Sequence, residues 1–346
     1  MCIRDSSIPY QVAVQVRNRL FDLGVLPSSS VEACVISVGN ISVGGTGKTP
    51  FIQFLIDKLK SLPQTRRLKV AVISRGYRGA AKGTVVVSDG KRLLSDPFTA
   101  GDEPYMLAEG RSGTVVIVDK NRIRGASAAV VQYAADMILL DDGFQHRRLK
   151  RDLDIVLLDG RNPLGGRLLL PAGSLREPVS ALARAGLIVL SKVEGEDNIL
   201  HERCAALSKL FRKPVAATRM VPKYWKRIGK GEFINAEEIR GKRVLAFAGI
   251  ASPGSFFDEI ATLGADLVDE IPLPDHCSYS KFYLDKISRR FVQSKAEWLA
   301  TTMKDAVKLP PILRLLPVYA LQAQLDIVSG GEMLDELLIA LARHNS

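Results

Sequence analysis

The stretch that most constrains the fold of this chain is Val38-Gly39-Asn40-Ile41-Ser42-Val43-Gly44-Gly45-Thr46-Gly47-Lys48-Thr49-Pro50. An apolar run over 33–38 precedes it, and a segment of helical periodicity over 50–60 follows it. A glycine-rich loop ending in Gly-Lys-Thr at a strand-to-helix junction reads as a phosphate-binding loop. Its glycines let successive backbone N–H groups turn inward around phosphate oxygens, and the helix behind it adds a positive N-terminal end. On this reading Ser42, Val43, Gly44, Gly45, Thr46 and Gly47 line the phosphates of a nucleotide. Lys48 reaches the β- and γ-phosphates, and Thr49 offers its hydroxyl to Mg²⁺. The strict pattern has glycine where Ser42 stands, and Gly44 and Gly45 supply the freedom instead. The plain alternative, a glycine-rich turn with an incidental lysine, leaves the position between strand and helix unexplained.

Such a loop commits the chain to an α/β fold. Further apolar runs rich in Val, Ile and Leu lie over 69–74, 114–118, 137–140, 155–158 and 187–190, and helical stretches such as 122–134 alternate with them. Continuous apolar runs fit parallel strands covered on both faces. The βαβα rhythm predicts a doubly wound parallel sheet of the P-loop NTPase kind. After about Pro214 the texture changes. The segment 220–238 is basic and irregular and reads as a connector or ribbon. A second α/β pattern then begins with a strand over 243–248 and a turn in which Ser252 caps a helix started by Pro253. Strands near 298–302 and 317–321 and a helix over 331–343 follow. The expected division is an N-terminal helix over 1–30, a P-loop core over 31–218, a connector over 219–240 and a smaller α/β lobe over 241–346.

At 346 residues, 47% of them apolar, the chain can bury two cores. Cys2, Cys34, Cys204 and Cys277 are scattered and form no C-x-x-C pair, which argues for a reducing compartment and against a disulfide framework. The formal charge of +11 suits an anionic partner. No arginine-rich arm and no regular interleaving with aromatics accompany it, so a nucleic-acid partner is not expected. No apolar run reaches the roughly 20 residues a membrane span needs, and residues 1–9 hold no secretory h-region. Over 9–26, Val12, Val16, Leu20 and Leu23 recur at helical spacing near Arg17 and Arg19. Such a helix either rests on a membrane surface or packs on the core.

Two acidic pairs stand out. Asp141-Asp142 ends the apolar run 137–140, where a P-loop enzyme holds Mg²⁺. Adjacent carboxylates also need a cation nearby, although a polar turn through Gly143 would equally end a strand. Asp102-Glu103, within Gly101-Asp102-Glu103-Pro104, precedes a helix predicted over 105–109, where acids commonly cap. A carboxylate there could take the proton of an attacking hydroxyl in phosphoryl transfer. The histidines are His146, His201, His276 and His344. Composition alone selects none of them.

Together these segments resemble the tetraacyldisaccharide 4′-kinase family. The matching blocks are Val38-Gly39-Asn40 with the loop that follows, Ser74-Arg75-Gly76-Tyr77-Arg78-Gly79, Gly101-Asp102-Glu103-Pro104, and Asp141-Asp142-Gly143-Phe144-Gln145-His146. Arg151-Asp152, Leu158-Asp159-Gly160, Leu170-Pro171-Ala172-Gly173, Leu175-Arg176-Glu177, Pro274-Asp275-His276 and Lys304-Asp305-Ala306-Val307-Lys308 continue the order. The resemblance implies a two-lobed kinase at the cytoplasmic face of the inner membrane, in peripheral contact with its anionic leaflet. It would move the γ-phosphate of ATP to the 4′-hydroxyl of an acylated disaccharide 1-phosphate, giving lipid IVA. On matching positions Asp102 would be the general base, paired with His276. Glu103, Asp141 and Asp142 would surround Mg²⁺ with Thr49, Tyr77 would lie near the nucleotide, and Arg122, Arg176 and Glu177 would hold substrate or order the site. The chain departs from the family pattern over residues 1–7, and at Thr302-Met303, where the family has Thr-Glu. The main rival is a P-loop GTPase or metallochaperone-type switch ATPase. Leu190-Ser191-Lys192-Val193-Glu194 faintly resembles a guanine-reading segment, with Glu where Asp is expected, and nucleotide preference would separate the two readings.

Overall fold

The computed structural model describes residues 3–77, 79–80, 82–109 and 111–343. Cys2, Arg78 and His344, named above, lie outside them. The chain forms two compact units, one from residues up to Met220 and from Leu325 onward, the other from Val221–Gln324.

The first unit runs α1 (Ile3–Asp22), β1 (Cys34–Asn40), α2 (Lys48–Ser61), β2 (Val70–Ser74), β3 (Val85–Asp89), α3 (Pro97–Ala100), α4 (Asp102–Ala108), β4 (Thr114–Val118), α5 (Arg122–Tyr133), β5 (Met137–Asp141), β6 (Leu153–Asp159), β7 (Leu187–Ser191), α6 (Asp197–Phe211) and β8 (Val215–Arg227). Its strands lie in the order β8-β7-β6-β1-β5-β2-β4-β3, all parallel to their neighbours except β3. β1 therefore lies between β5 and β6, with Val38 level with Asp141 on one side and Ile155 on the other. This brings the phosphate-binding loop and the acidic pair to one end of adjacent strands, where open α/β sheets bind ligands.

The apolar runs predicted from the sequence are these strands, and every residue of β1, β2, β4, β5 and β7 is buried. Helix α2 covers one face with Phe51, Ile52, Leu55, Ile56 and Leu59, a stripe at helical spacing. Burying five such side chains contributes on the order of 10 kcal/mol. The helix ends at Ser61 because Leu62 turns extended ahead of Pro63. Ala126 and Ala129 of α5 pack in a cluster with Ala71, Ile73 and Ile138 of the strands.

The second unit continues with β9 (Phe233–Asn235), β10 (Arg243–Ala248), α7 (Pro253–Thr262), β11 (Asp266–Pro272), α8 (Lys281–Ser294), β12 (Trp298–Thr302), α9 (Met303–Ala306) and β13 (Val318–Ser329). The strands β11-β10-β12-β13 are parallel. The chain leaves the first unit within β8 and returns to it within β13.

Two boundaries differ from the expected division. The basic segment after 219 forms the ribbon, one of its two readings, because β8 extends to Arg227 and β9 pairs back on it, Tyr224 opposite Asn235. Trp225 anchors this ribbon: its side chain is fully buried, and its Nε1–H donates to the Ala236 carbonyl at 3.0 Å. The last helix, α10 (Gly331–Arg343), belongs to the first unit rather than to the C-terminal lobe. Its Leu334 and Leu338 share a cluster with the buried stripe of α2, and Lys58 pairs with Asp335 at 2.9 Å.

Candidate active site

The phosphate-binding loop leaves β1 and enters α2 through glycines that only an unbranched backbone accommodates. Gly44 and Gly47 have φ of 105° and 76°, and Gly47 is the residue before the helix. Lys48 and Thr49 thus fall on the first turn of α2, at its positive end. Val43, Gly44 and Gly45 are exposed, as a surface that receives a ligand must be.

Beside the loop lies a charged network. The Lys48 Nζ is 3.4 Å from Asp142 Oδ1. Arg176 donates to both Asp142 oxygens, at 2.9 and 3.0 Å, to the Ser42 carbonyl at 3.1 Å, and to the Asn40 side chain. Burial alone would push the Asp142 carboxyl up, but the Arg176 hydrogen bonds and the Lys48 charge hold it well below the usual carboxylate range. Asp141 is different. It is buried, its Oδ2 accepts from Ser74 Oγ at 2.7 Å, and its Oδ1 has no hydrogen-bond partner. Burial pushes its carboxyl above the ordinary range, against the pull of Ser74 and Lys48. Two neighbouring carboxyl groups are thus shifted in opposite directions, one governed by its cations and the other by burial.

Arg122 is buried at the start of α5. It donates to the Asp119 carbonyl at 2.8 Å and to the Asp141 carbonyl at 3.2 Å, so it fixes the backbone of the acidic pair. Glu177 is fully buried and accepts from Arg184 at 2.8 Å, Asn18 at 3.0 Å and Arg17 at 3.3 Å. Of the three residues expected to hold substrate or order the site, Arg122 and Glu177 are enclosed among protein partners, while Arg176 reaches the acidic pair directly. Glu177 also ties α1 to the core, beside the Tyr10 hydroxyl, which donates to the Arg176 carbonyl at 3.0 Å.

Asp102 and Glu103 open α4 after Gly101, Asp102 half-buried and Glu103 exposed. Among the described residues, no group of three or more His, Cys, Asp or Glu side chains stands close enough to hold a metal ion. Glu103 is accordingly not gathered with Asp141 and Asp142 into one ligand set. Tyr77 is 67% exposed in the segment after β2. His276 belongs to the second unit, where its backbone is in the left-handed region at φ 59°.

Sequence reasoning passed over Asn40, Ser74 and Lys192 as site residues. Asn40 and Ser74 stood inside quoted blocks, at the ends of β1 and β2, and strand ends next to the loop are the signal that points to them. Lys192 came from the segment read as faintly guanine-binding. It follows β7 with φ 55°, and its ammonium donates to the Gly45 carbonyl of the phosphate-binding loop.

A family described as "Tetraacyldisaccharide-1-P 4'-kinase" matches residues 2–342. The chain is 40% identical over 338 residues to a tetraacyldisaccharide 4'-kinase of Anaeromyxobacter sp. (strain Fw109-5), covering 96% of this chain and 90% of the relative. It is 37% identical over 351 residues to one of Pelodictyon phaeoclathratiforme, covering 97% and 96%. The crystal structure of an "apo" form LpxK from Aquifex aeolicus in complex with ATP superposes with a TM-score of 0.79 at 31% identity, over 98% of this chain and 99% of that one. The match runs through both units, and with it the chain belongs to the tetraacyldisaccharide-1-P 4'-kinase family.

Proposed function

We propose that this chain is an ATP-dependent kinase that transfers the γ-phosphate to the 4′-hydroxyl of a tetraacyldisaccharide 1-phosphate, forming lipid IVA. The observation that carries this reading is the network of Lys48, Asp142 and Arg176 against the phosphate-binding loop, with the buried Asp141 Oδ1, which has no hydrogen-bond donor, beside it. In phosphoryl transfer the protein acts mainly by positioning and by neutralising charge. The loop N–H groups and the N-terminal end of α2 hold the phosphates. Lys48 exchanges its contact with Asp142 for the transferring phosphoryl oxygens. Arg176 keeps Asp142 ionised and the loop in register through the Ser42 carbonyl.

The residues fit a divalent cation. Asp141 Oδ1 is a buried oxygen without a donor, and Asp142 and the Thr49 hydroxyl are the other oxygens of that strand end and helix start. When bound, Mg²⁺ supplies neutralisation of the β- and γ-phosphate oxygens. Asp102 accepts the proton of the attacking sugar hydroxyl, and His276 acts in the same step as its functional partner. Tyr77 serves the nucleotide, and Glu103 supports the acidic end of α4.

No helix among the described residues is long and apolar enough to cross a membrane. Helix α1 nevertheless exposes Ile8, Val12 and Val16 on one face, while Val14 and Asn18 face inward. That exposed stripe, with the positive charge of the chain, supports peripheral contact with the anionic cytoplasmic leaflet where an acylated substrate resides.

The test is transfer of label from γ-labelled ATP, with Mg²⁺, to tetraacyldisaccharide 1-phosphate in detergent micelles. Label should enter the lipid and fall by roughly two orders of magnitude or more in Lys48→Ala and in Asp102→Ala. Nucleotide hydrolysis by folded protein without lipid labelling would replace the kinase reading with that of a switch ATPase.

A further inference from the structure

The block Lys304-Asp305-Ala306-Val307-Lys308 has no part in the chemistry above, yet it sits at the C-terminal end of β12 in the second unit, beside the loop that carries His276. Asp305 is fully buried. Its Oδ2 accepts from the Gly249 N–H at 3.0 Å and from Thr302 Oγ1 at 2.7 Å, and Thr302 in turn caps the Asp305 N–H at 3.2 Å. A buried carboxylate is costly unless it is held by donors of this kind. Gly249 passes the constraint on, because its carbonyl accepts the His276 N–H at 3.1 Å. The turn has no slack: a Cβ on Gly249 would stand 2.9 Å from Asp305 Oδ1, 3.0 Å from Cys277 Cβ and 3.1 Å from the Pro274 carbonyl. His276 itself adopts φ 59°, a conformation a non-glycine residue keeps only when its surroundings impose it.

The preceding residue acts on the ring. Lys304 Nζ lies 3.4 Å from His276 Nε2 and 3.5 Å from Asp275 Oδ1. An ammonium group only donates. At Nε2 it can donate to a lone pair, which the neutral imidazole offers there when its proton is on Nδ1. Between the two neutral tautomers the contact therefore favours Nδ1–H, against the pull of Asp275 Oδ2, which stands 3.8 Å from the same nitrogen.

We propose that Lys304 and Asp305 are positioning residues for His276, Asp305 fixing its backbone through Gly249 and Lys304 fixing its ring as the Nδ1–H tautomer. Their effect on turnover rests on the reading of His276 as a participant in phosphoryl transfer. The arrangement makes adjacent residues do complementary work: one side chain points inward to the turn, the next outward to the imidazole.

The experiment uses the full chain with isotope-labelled histidine, whose four residues are separable by substitution. Imidazole nitrogen spectra of the neutral ring should show His276 as the Nδ1–H tautomer. Lys304→Met should move it toward Nε2–H and lower kcat roughly 10- to 100-fold with KM for ATP unchanged. Lys304→Arg restores a donor and should recover both. Asp305→Ala should raise hydrogen exchange at the His276 amide. Asp305→Asn, which keeps an acceptor for Gly249, should retain protection and provides the test where the alanine variant does not fold. A His276 tautomer that is the same with and without Lys304 overturns the ring assignment, and unchanged His276 amide exchange in folded Asp305→Ala overturns the backbone one. Full turnover in His276→Ala sinks the catalytic reading separately, because the tautomer shift on Lys304→Met would then appear without a kinetic effect.

Discussion

Glu177 separates an ordering role from a ligand-contact role. Its carboxylate is fully buried and receives Arg184, Asn18 and Arg17, the last two from α1. Replacing it with Gln keeps the volume and one acceptor oxygen but removes the charge and turns the other oxygen into a donor facing arginine. One charge-assisted hydrogen bond is lost, for about 2–3 kcal/mol. The loss falls mainly on the seating of α1, which keeps the contacts of buried Val14, the Tyr10 hydroxyl, and Arg147 with Asn18 and Asp22. Opening of α1 should therefore become roughly 30- to 150-fold more frequent, read as faster hydrogen exchange of the α1 amides. KM for ATP should stay within about twofold. Unchanged α1 exchange with a large rise in KM for ATP would refute the reasoning and place Glu177 at the ligand.

Three further outcomes concern His146, Asp141 and Gly249. His146 is held down to about 4 from 6.5 by burial, then by Arg122, with Arg75 and Arg151 adding to it and Asp142 opposing. Its unfolded form binds the proton first, so stability should rise with pH between about 4 and 6.5 by at most about 2–3 kcal/mol, and His146→Gln should flatten that slope in urea titrations. Asp141→Asn relieves the burial cost of a carboxyl whose Oδ1 has no donor, so stability should hold or rise by about 1 kcal/mol while Mg²⁺-dependent phosphate transfer is lost. A clear fall in midpoint would contradict that account. Gly249→Ala should destabilise the second unit by about 1–3 kcal/mol through the contacts its Cβ would meet. Both tryptophans, Trp225 and Trp298, lie in that unit, so fluorescence unfolding reports it directly.

The sequence made the sheet legible because its central strands are buried on both faces and read as unbroken apolar runs. The phosphate-binding loop was legible because its spacing is local. The acidic pair was legible for a similar reason, since a strand's last residue is fixed by the strand. What escaped depends on partners distant in the chain. Nothing near Glu177 announces Arg17 and Asn18, so the sequence left holding substrate and ordering the site both open. Helix α10 shows an apolar face at the right period but not which sheet it covers, and its partner α2 lies far earlier in the sequence. The lysines and arginines of β8 and β9 left connector and ribbon both open, because nothing local shows that Trp225 between them is buried. Asp305 was visible only as part of a family block, since its use comes from a turn more than fifty residues before it.

The return of the chain through β13 has a consequence for how the protein is made. The nucleotide-binding unit is written in two instalments, with the second unit inserted between them. A ribosome releases β1, the phosphate-binding loop and α2 first, then the whole of the second unit, and only at the end the helix that supplies Leu334 and Leu338 to the core of α2. During synthesis the part of that core completed by Leu334 and Leu338 stays open while the inserted unit folds. A message cut short near its end would thus damage the first part of the enzyme to be translated, and leave intact the part made in the middle.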